Sequence, residues 1–304
     1  MEASARITCQ FLGLQEGDTA LLCLPLDYIA GKMMVVRALT CHLRLVSTAP
    51  DGHPLSSEAS LGQLWHGSDV EKPWLDFAAM VPLQVWNSLQ VPEERKRLRQ
   101  IRHLIIGGGA IDDALAKELE DFPHAVWSTY GMTETLSHIA LRRLNGAERS
   151  SSYTPFEGVS VSLNAEGCLV IHAPAVCDRP LTTNDLAEMA SDGRSFRILG
   201  RRDNVICSGG IKLQAEEIER KLSRHITSPY LITKRKDPAL GEAIVMLVED
   251  DDWKKYAAIC QKVLTKYEQP KMVVPVDRIP MTETGKPARQ QAEALASSLQ
   301  GKNS

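Results

Sequence analysis

Between Thr19 and Trp127 short apolar runs alternate with segments of helical length, and this alternation constrains the fold more than any other feature. Thr19 to Leu26 (TALLCLPL) reads as a buried strand or an approach to one. Tyr28 to Leu39 (YIAGKMMVVRAL) has helical length and an apolar face, with Gly31 inside it. Residues 49–73 are rich in Pro, Gly, Ser and charge, which suits a surface loop with a short helix. Phe77 to Val81 is again strand-like, and Pro82 opens a helix over Leu83 to Leu89, because proline fits a first helical turn. His103 to Ile106 is a third apolar run, ending at Gly107-Gly108-Gly109. Asp112 to Leu119 then reads as a helix with acidic residues in its first turn. Strand and helix in this order predict an α/β fold with a largely parallel sheet.

The pattern changes after residue 145. Val159 to Leu163 and Cys168 to His172 flank Asn164-Ala165-Glu166-Gly167, two β-rich runs around a turn. Phe196 to Leu199 is a short strand, and Val205 to Cys207 precedes Ser208-Gly209-Gly210. Ala215, Ile218 and Leu222 fall at helical spacing. Ile244 to Val248 and Met272 to Val276 are strand-like, with a helix-like stretch, Trp253 to Leu264, between them. A chain of 304 residues suggests about two domains. The boundary is expected near residues 200–204, with a large α/β domain over 1–200 and a small α+β domain over 201–304.

Composition excludes several functions. Thirty-five basic and 38 acidic residues leave a net charge of −3, which gives no case for nucleic acid or an anionic membrane as partner. The longest apolar runs are too short to span a bilayer, and MEASARITCQ lacks the apolar core of a signal peptide. The seven cysteines, at 9, 23, 41, 168, 177, 207 and 260, show no Cys-x-x-Cys spacing. They read as small apolar residues in a reducing cytoplasm.

The stretch WSTYGMTET, residues 127–135, gathers hydroxyls, a ring, a glycine and a carboxylate just after the apolar run Ala125-Val126-Trp127. Open α/β sheets bind ligands at strand ends, and this residue set suits a phosphate with its magnesium ion. A threonine-rich turn fits the same residues. The run Leu136 to Leu141 fits either strand or helix. No nucleophile-elbow pattern and no His-centred triad accompany it.

Four stretches carry the argument further: Gly107 to Ala110, Thr129 to Thr135, Thr183-Asn184-Asp185 with Gly200-Arg201-Arg202-Asp203, and Pro280 to Lys286 (PMTETGK). In order and spacing they resemble the adenylate-forming enzymes, the family of acyl-CoA synthetases, peptide-synthetase adenylation domains and luciferases. The likeness covers nearly the whole chain. LPLDYIAGKMMVVRAL, AAMVPLQVWNSL and GRRDNVICSGG are most similar to the branch that ligates o-succinylbenzoate to CoA in menaquinone synthesis. The resemblance implies an acid–CoA ligase using ATP, Mg2+ and CoA. It implies that Lys286 touches the substrate carboxylate and α-phosphate, that Thr133 donates to that phosphate, and that Glu134 holds magnesium. Tyr130 with Gly131 would meet adenine, Gly108 and Gly109 would let backbone approach the base, Asp185 would accept the ribose hydroxyls, and Arg201 would support ribose and phosphate. Asp203 would be the hinge of a mobile small domain, and Gly209 and Gly210 would line the CoA channel. His138 would face the acyl pocket.

Each of these residues also has a plainer reading. Lys286 suits a solvated turn, Tyr130 a core edge, the glycines ordinary turns, Glu134 a helix start and Arg201 the surface. Asp185 suits an Asx turn with its neighbours, Asp203 the cap of a turn, and His138 a packed core position. The doubled Arg201-Arg202 leaves the ribose assignment open by one position.

The family's Gly/Ser/Thr-rich phosphate loop is absent, and Tyr28 stands where a histidine is usual. The expectation is therefore a large domain shortened at its N-terminus, whether by truncation, a misplaced start or a compact design with another phosphate grip. Shortening exposes a sheet edge, which favours a homo-oligomer. A related ligase for another acid, and a non-catalytic remnant that binds nucleotide or CoA, are the competing expectations.

Overall fold

A computed structural model describes residues 1–57, 61, 62, 64, 73–109, 111–282 and 286–298. By Cα packing the chain divides into two compact units. The first comprises residues 1–111, 115–183 and 188–197; the second takes 112–114, 184–187 and the chain from 198 onward.

The first unit is built on a seven-stranded sheet. Its strands are β1 (Thr19–Leu22), β2 (Arg44–Ser47), β3 (Leu75–Met80), β4 (Ile101–Ile106), β5 (Ala125–Gly131), β6 (His138–Arg143) and β7 (Thr154–Pro155). They lie in the order β2-β1-β3-β4-β5-β6-β7. The first five run parallel, and β6 and β7 add antiparallel. The open choice over Leu136 to Leu141 thus resolves to a strand, set by pairing of Thr129 with Leu141 and Tyr130 with Ala140.

The crossovers are α2 (Ile29–Thr40) between β1 and β2, α3 (Pro82–Gln90) with α4 (Pro92–Arg99) between β3 and β4, and α5 (Asp113–Glu118) between β4 and β5. A further helix, α1 (Glu2–Leu12), precedes β1. Prolines start α3 and α4, where a missing N–H costs nothing. The sheet is buried on both faces, which is why its strands read as continuous apolar runs. From Phe77 onward in β3, and over Leu104 to Ile106 in β4, alternate residues serve different cores. Leu75, Ala78, Met80, Leu104 and Ile106 pack with Val85, Leu89, Leu98 and Leu115 of α3 to α5. Phe77, Ala79 and Ile105 pack with Cys9 and Leu12 of α1 and with Met34 and Ala38 of α2.

A four-stranded sheet follows, formed by β8 (Ser160–Leu163), β9 (Cys168–His172), β10 (Leu181–Met189) and β11 (Phe196–Arg201) in the order β11-β10-β9-β8. The Asn164 side chain shapes its first turn by accepting from the Glu166 and Cys168 N–H groups, at 3.0 and 2.9 Å. Strand β10 places Asn184 and Asp185 in extended structure, so the Asx turn anticipated there does not form.

In the second unit β12 (Val205–Ser208), β13 (Ile211–Gln214), β14 (Tyr230–Asp237) and β15 (Gly241–Val248) form a sheet in the order β13-β12-β15-β14. Strand β16 (Met272–Pro275) pairs parallel with β15. Helices α6 (Ala215–Leu222) and α7 (Trp253–Val263) cover one face through Ile218, Leu222, Tyr256 and Cys260. Helix α8 (Arg289–Ser298) covers the other with Ala292 and Ala296. Among the described residues no helix is long and apolar enough to cross a membrane.

Candidate functional site

In the first unit the strand order reverses direction between β1 and β3, since the chain steps outward from β1 to β2 and then resumes on the other side of β1. Parallel α/β sheets open a ligand crevice beyond the carboxyl ends of their strands at such a reversal. Two of the four sequence-predicted stretches lie along this edge. Gly108 and Gly109 follow β4, and a Cβ on either would stand 3.4 Å from Val81 Cγ1 or Pro82 Cγ at the start of α3. Ala110 lies outside the described residues. Tyr130 and Gly131 end β5, and Thr133 to Thr135 form a single 3-10 turn just beyond.

The turn is shaped by buried groups so that its functional candidates face outward. Thr135 is fully buried. Its Oγ1 accepts from the Met132 N–H at 3.0 Å and lies 2.7 Å from the Ser137 carbonyl and 3.0 Å from that of Met132. One hydroxyl proton serves the two carbonyls, and the shorter contact goes to Ser137. Leu136 takes a left-handed φ of 63° to turn the chain back into β6. A Cβ on Gly131 would overlap the Ser137 carbonyl oxygen and His138 Cα, so only glycine lets the two strands approach here. Thr133 and Glu134 are left exposed on the outside of the turn. Tyr130 is half-buried, edge-on to Phe196 at 5.1 Å and tilted against Tyr153 at 5.7 Å between ring centroids.

His138 is buried behind this turn. Its Nε2 meets Thr8 Oγ1 at 3.1 Å and its Nδ1 meets Ser137 Oγ at 3.3 Å. Thr8 spends its own proton on the Ser4 carbonyl, 3.0 Å away. His138 must then donate from Nε2 and accept at Nδ1, which is a neutral imidazole. Burial, and next to it the positive Arg37, push its pKa well below the usual histidine range. His138 also lines a small cleft with Ser4 and Ile7 of α1, Phe156, Val159 and Ala173.

Sequence reasoning passed over Arg37. It is 2% exposed on α2, and its Nη2 donates to Ser137 Oγ at 2.7 Å. Its Nη1 has only the Met34 sulfur, at 3.8 Å, and its Nε has no partner. No carboxylate among the described residues pairs with it, and burial lowers its pKa to about 10. The signal was present in the sequence as a lone cation within MMVVRAL, an otherwise apolar helix face.

In the second unit the structure brings Asp185, Arg201 and Asp203 together. Arg201 Nη1 lies 3.4 Å from Asp185 Oδ1 and its Nη2 lies 3.1 Å from Asp203 Oδ2. Asn184 Nδ2 also reaches Asp203, at 3.3 Å, and Arg202 reaches Asn184 Oδ1 at 3.2 Å. Asp203 sits in a short 3-10 turn between β11 and β12. Gly209 and Gly210 form the two-residue turn from β12 to β13, with φ of 57° and 82°, the positive pair that a type I′ hairpin demands. Lys286 is exposed, and it is tied to Thr282 by Thr282 N–H to the Lys286 carbonyl at 2.7 Å and by Lys286 N–H to Thr282 Oγ1 at 3.1 Å. Glu283, Thr284 and Gly285 of the same motif lie outside the described residues.

Glu134 fits a magnesium site of the kind that takes one or two protein carboxylates and completes its shell with substrate phosphates and water. It is exposed beside Thr133 on the strand-end edge. No group of three or more His, Cys, Asp or Glu side chains suited to a metal occurs among the described residues.

Residues 2–170 match the family model described as AMP-binding enzyme, and the chain belongs to that family. It is similar to an acyl-CoA synthetase (AMP-forming)/AMP-acid ligase II-like protein from Dyadobacter fermentans. The two are 32% identical with a TM-score of 0.60, over 95% of this chain and 81% of that one. Among named relatives, the 2-succinylbenzoate–CoA ligase of Bacillus mycoides is 22% identical over 95% of this chain and 64% of its own length. The o-succinylbenzoate coenzyme A synthetase of Bacillus subtilis, solved with ATP and magnesium, shares the fold at 21% identity and a TM-score of 0.74, over 95% of this chain and 64% of that one. The chain thus spans 64% of the length of the curated relatives it matches.

Proposed function

We propose that this chain is an adenylate-forming acid–CoA ligase, acting on o-succinylbenzoate. In the first half-reaction a carboxylate oxygen attacks the α-phosphorus of ATP and pyrophosphate leaves. In the second the CoA sulfur attacks the acyl carbon and AMP leaves. The observation that carries this reading is the turn after β5, where a buried Thr135 holds Thr133 and Glu134 outward at the ligand edge of a parallel sheet. Both reactants are anions, so the chemistry needs donors and cations at the reacting centre. Thr133 would donate to the α-phosphate, and Glu134 would hold magnesium, which neutralises phosphate charge when bound. Lys286 would neutralise the attacking carboxylate and α-phosphate together, as an ammonium on a flexible stem can.

Tyr130 and Gly131, with Gly108 and Gly109, would border the base. Asp185 would take the ribose hydroxyls with support from Arg201, consistent with their contact in the second unit. Asp203 would be the hinge and Gly209 and Gly210 would border the CoA channel. His138 would border the acyl group as a neutral, packed imidazole rather than as a base.

Arg37 supports an acid with a second carboxylate. A fully buried guanidinium without a counter-ion costs several kcal/mol, and an anionic group of the substrate would recover much of it. The experiment is acid-dependent pyrophosphate release by the purified chain over a panel of acids. The proposal expects o-succinylbenzoate to exceed its monocarboxylic analogues. Preference for an acid with one carboxylate would move the assignment to a related ligase, and nucleotide binding with no release under any acid would make the chain a binding module.

A further inference from the structure

Arg289 opens α8 shortly after Lys286 in the chain, and the proposed chemistry of ATP does not use it. Its Nη2 donates to Glu219 Oε2 at 2.7 Å and its Nη1 donates to the Ile232 carbonyl at 3.1 Å. Glu219, on α6, accepts the Ile232 N–H through Oε1 at 2.9 Å. The two members of one ion pair thus hold both main-chain groups of Ile232, and α6, β14 and α8 are joined at this point. The Arg289 and Glu219 side chains are 23 and 20% exposed, so solvent screens the pair only in part. Main-chain contacts carry this anchorage to Lys286. Ala288 N–H donates to the Pro280 carbonyl at 2.8 Å, Met281 and Pro287 form an antiparallel bridge, and Thr282 is bonded to Lys286. The facing stretch has an anchor of its own. Ile279 is buried in the cluster that includes Ala292 and Ala296 of α8, and its N–H donates to Glu249 Oε1 at 2.6 Å.

We infer that Arg289 is a positioning residue for Lys286, its pairing with Glu219 fixing the main chain from which the Lys286 ammonium is aimed. This role rests on the one proposed for Lys286 in the first half-reaction. A lysine stem can adjust where its tip lies but not where its Cα starts, and a misplacement of about 1 Å at a reacting centre costs about 100-fold in rate. Attack by the CoA sulfur in the second half-reaction does not use Lys286. A fault confined to the Arg289 anchor therefore slows the first half-reaction alone. Loss of fold in the second unit would slow both, because Gly209 and Gly210, proposed to border the CoA channel, belong to that unit.

The test measures the two half-reactions separately in the full chain, at a temperature where each variant is folded. Arg289→Met is expected to lower acid-dependent pyrophosphate release about 100-fold while leaving thioester formation from supplied o-succinylbenzoyl-adenylate and CoA within about twofold of wild type. Arg289→Lys keeps a cation for Glu219 without the second donor to Ile232 and should recover part of the loss. Hydrogen exchange at the Thr282 and Ala288 amides, read by NMR, should be faster in Arg289→Met and unchanged in Lys286→Ala. An equal fall in both half-reactions, undiminished pyrophosphate release in Arg289→Met, or unchanged exchange at those amides would overturn the inference. Faster exchange in Arg289→Met beside pyrophosphate release that Lys286→Ala leaves undiminished would overturn the function proposed for Lys286 and leave the anchorage standing.

Discussion

Thr135→Val tests how the strand-end turn is held. The substitution keeps the shape of a fully buried side chain and removes only its hydroxyl. Two hydrogen bonds disappear, the one accepted from Met132 N–H at 3.0 Å and the one given to the Ser137 carbonyl at 2.7 Å. Each backbone group left unpaired away from water costs about 1–3 kcal/mol. Met132 and Ser137 are only half-buried, so water recovers part of this. The expected loss is about 2–4 kcal/mol in the first unit. Urea unfolding followed by a probe in that unit should show a lower midpoint with an unchanged slope, because the surface exposed on unfolding is the same. Thr135→Ser retains the hydroxyl and should recover most of the loss. A valine variant within about 0.5 kcal/mol of wild type, or a serine variant as impaired as valine, would refute this account of the turn.

Further outcomes follow from other contacts. Gly131→Ala should destabilise by about 1–3 kcal/mol in the same assay, because its Cβ meets backbone that cannot rotate away. His138 has a folded pKa below its unfolded value, so the unfolded state binds more protons below about pH 6.5 and stability falls as pH drops. His138→Gln should therefore remove about 1.4 kcal/mol per pH unit from the slope of stability between about pH 6 and 5, measured by urea titrations at each pH. His103, lowered to about 4 by burial and nearby arginines, contributes a similar slope that persists in that variant. In the second unit Arg289 pairs with Glu219 at 2.7 Å and caps the Ile232 carbonyl at 3.1 Å. Arg289→Met should cost about 2–3 kcal/mol by urea unfolding, less than a fully buried pair because both side chains keep some solvent contact.

The parts of the fold that could be read from sequence are those whose burial imposes a pattern. LDFAAM and IRHLII are strands because both faces are covered, and their uninterrupted apolar character says so. Strand β10, LTTNDLAEM, carries polar residues along its length and was not anticipated from its composition. Strand β14, YLITKRKD, was missed for the same reason, since its charged half is specified by pairing with β15 rather than by apolar content. Helix α8 has small alanines as its buried contacts, a weak signal in sequence. The turn after β5 was visible as a site because its polar residues interrupt a strongly apolar context. Ser137 and Thr8 were not, because nothing in sequence brings together residues 130 positions apart such as Thr8 and His138.

The most direct test of the central claim is formation of a CoA thioester. The purified chain would be incubated with ATP, magnesium, o-succinylbenzoate and CoA, and the product quantified by mass spectrometry. The account predicts o-succinylbenzoyl-CoA with the wild-type chain and a fall of about 100- to 1,000-fold with Lys286→Ala, the usual effect of losing a charge-stabilising donor. Absence of thioester from a folded chain that binds ATP, or product undiminished by Lys286→Ala, would contradict it.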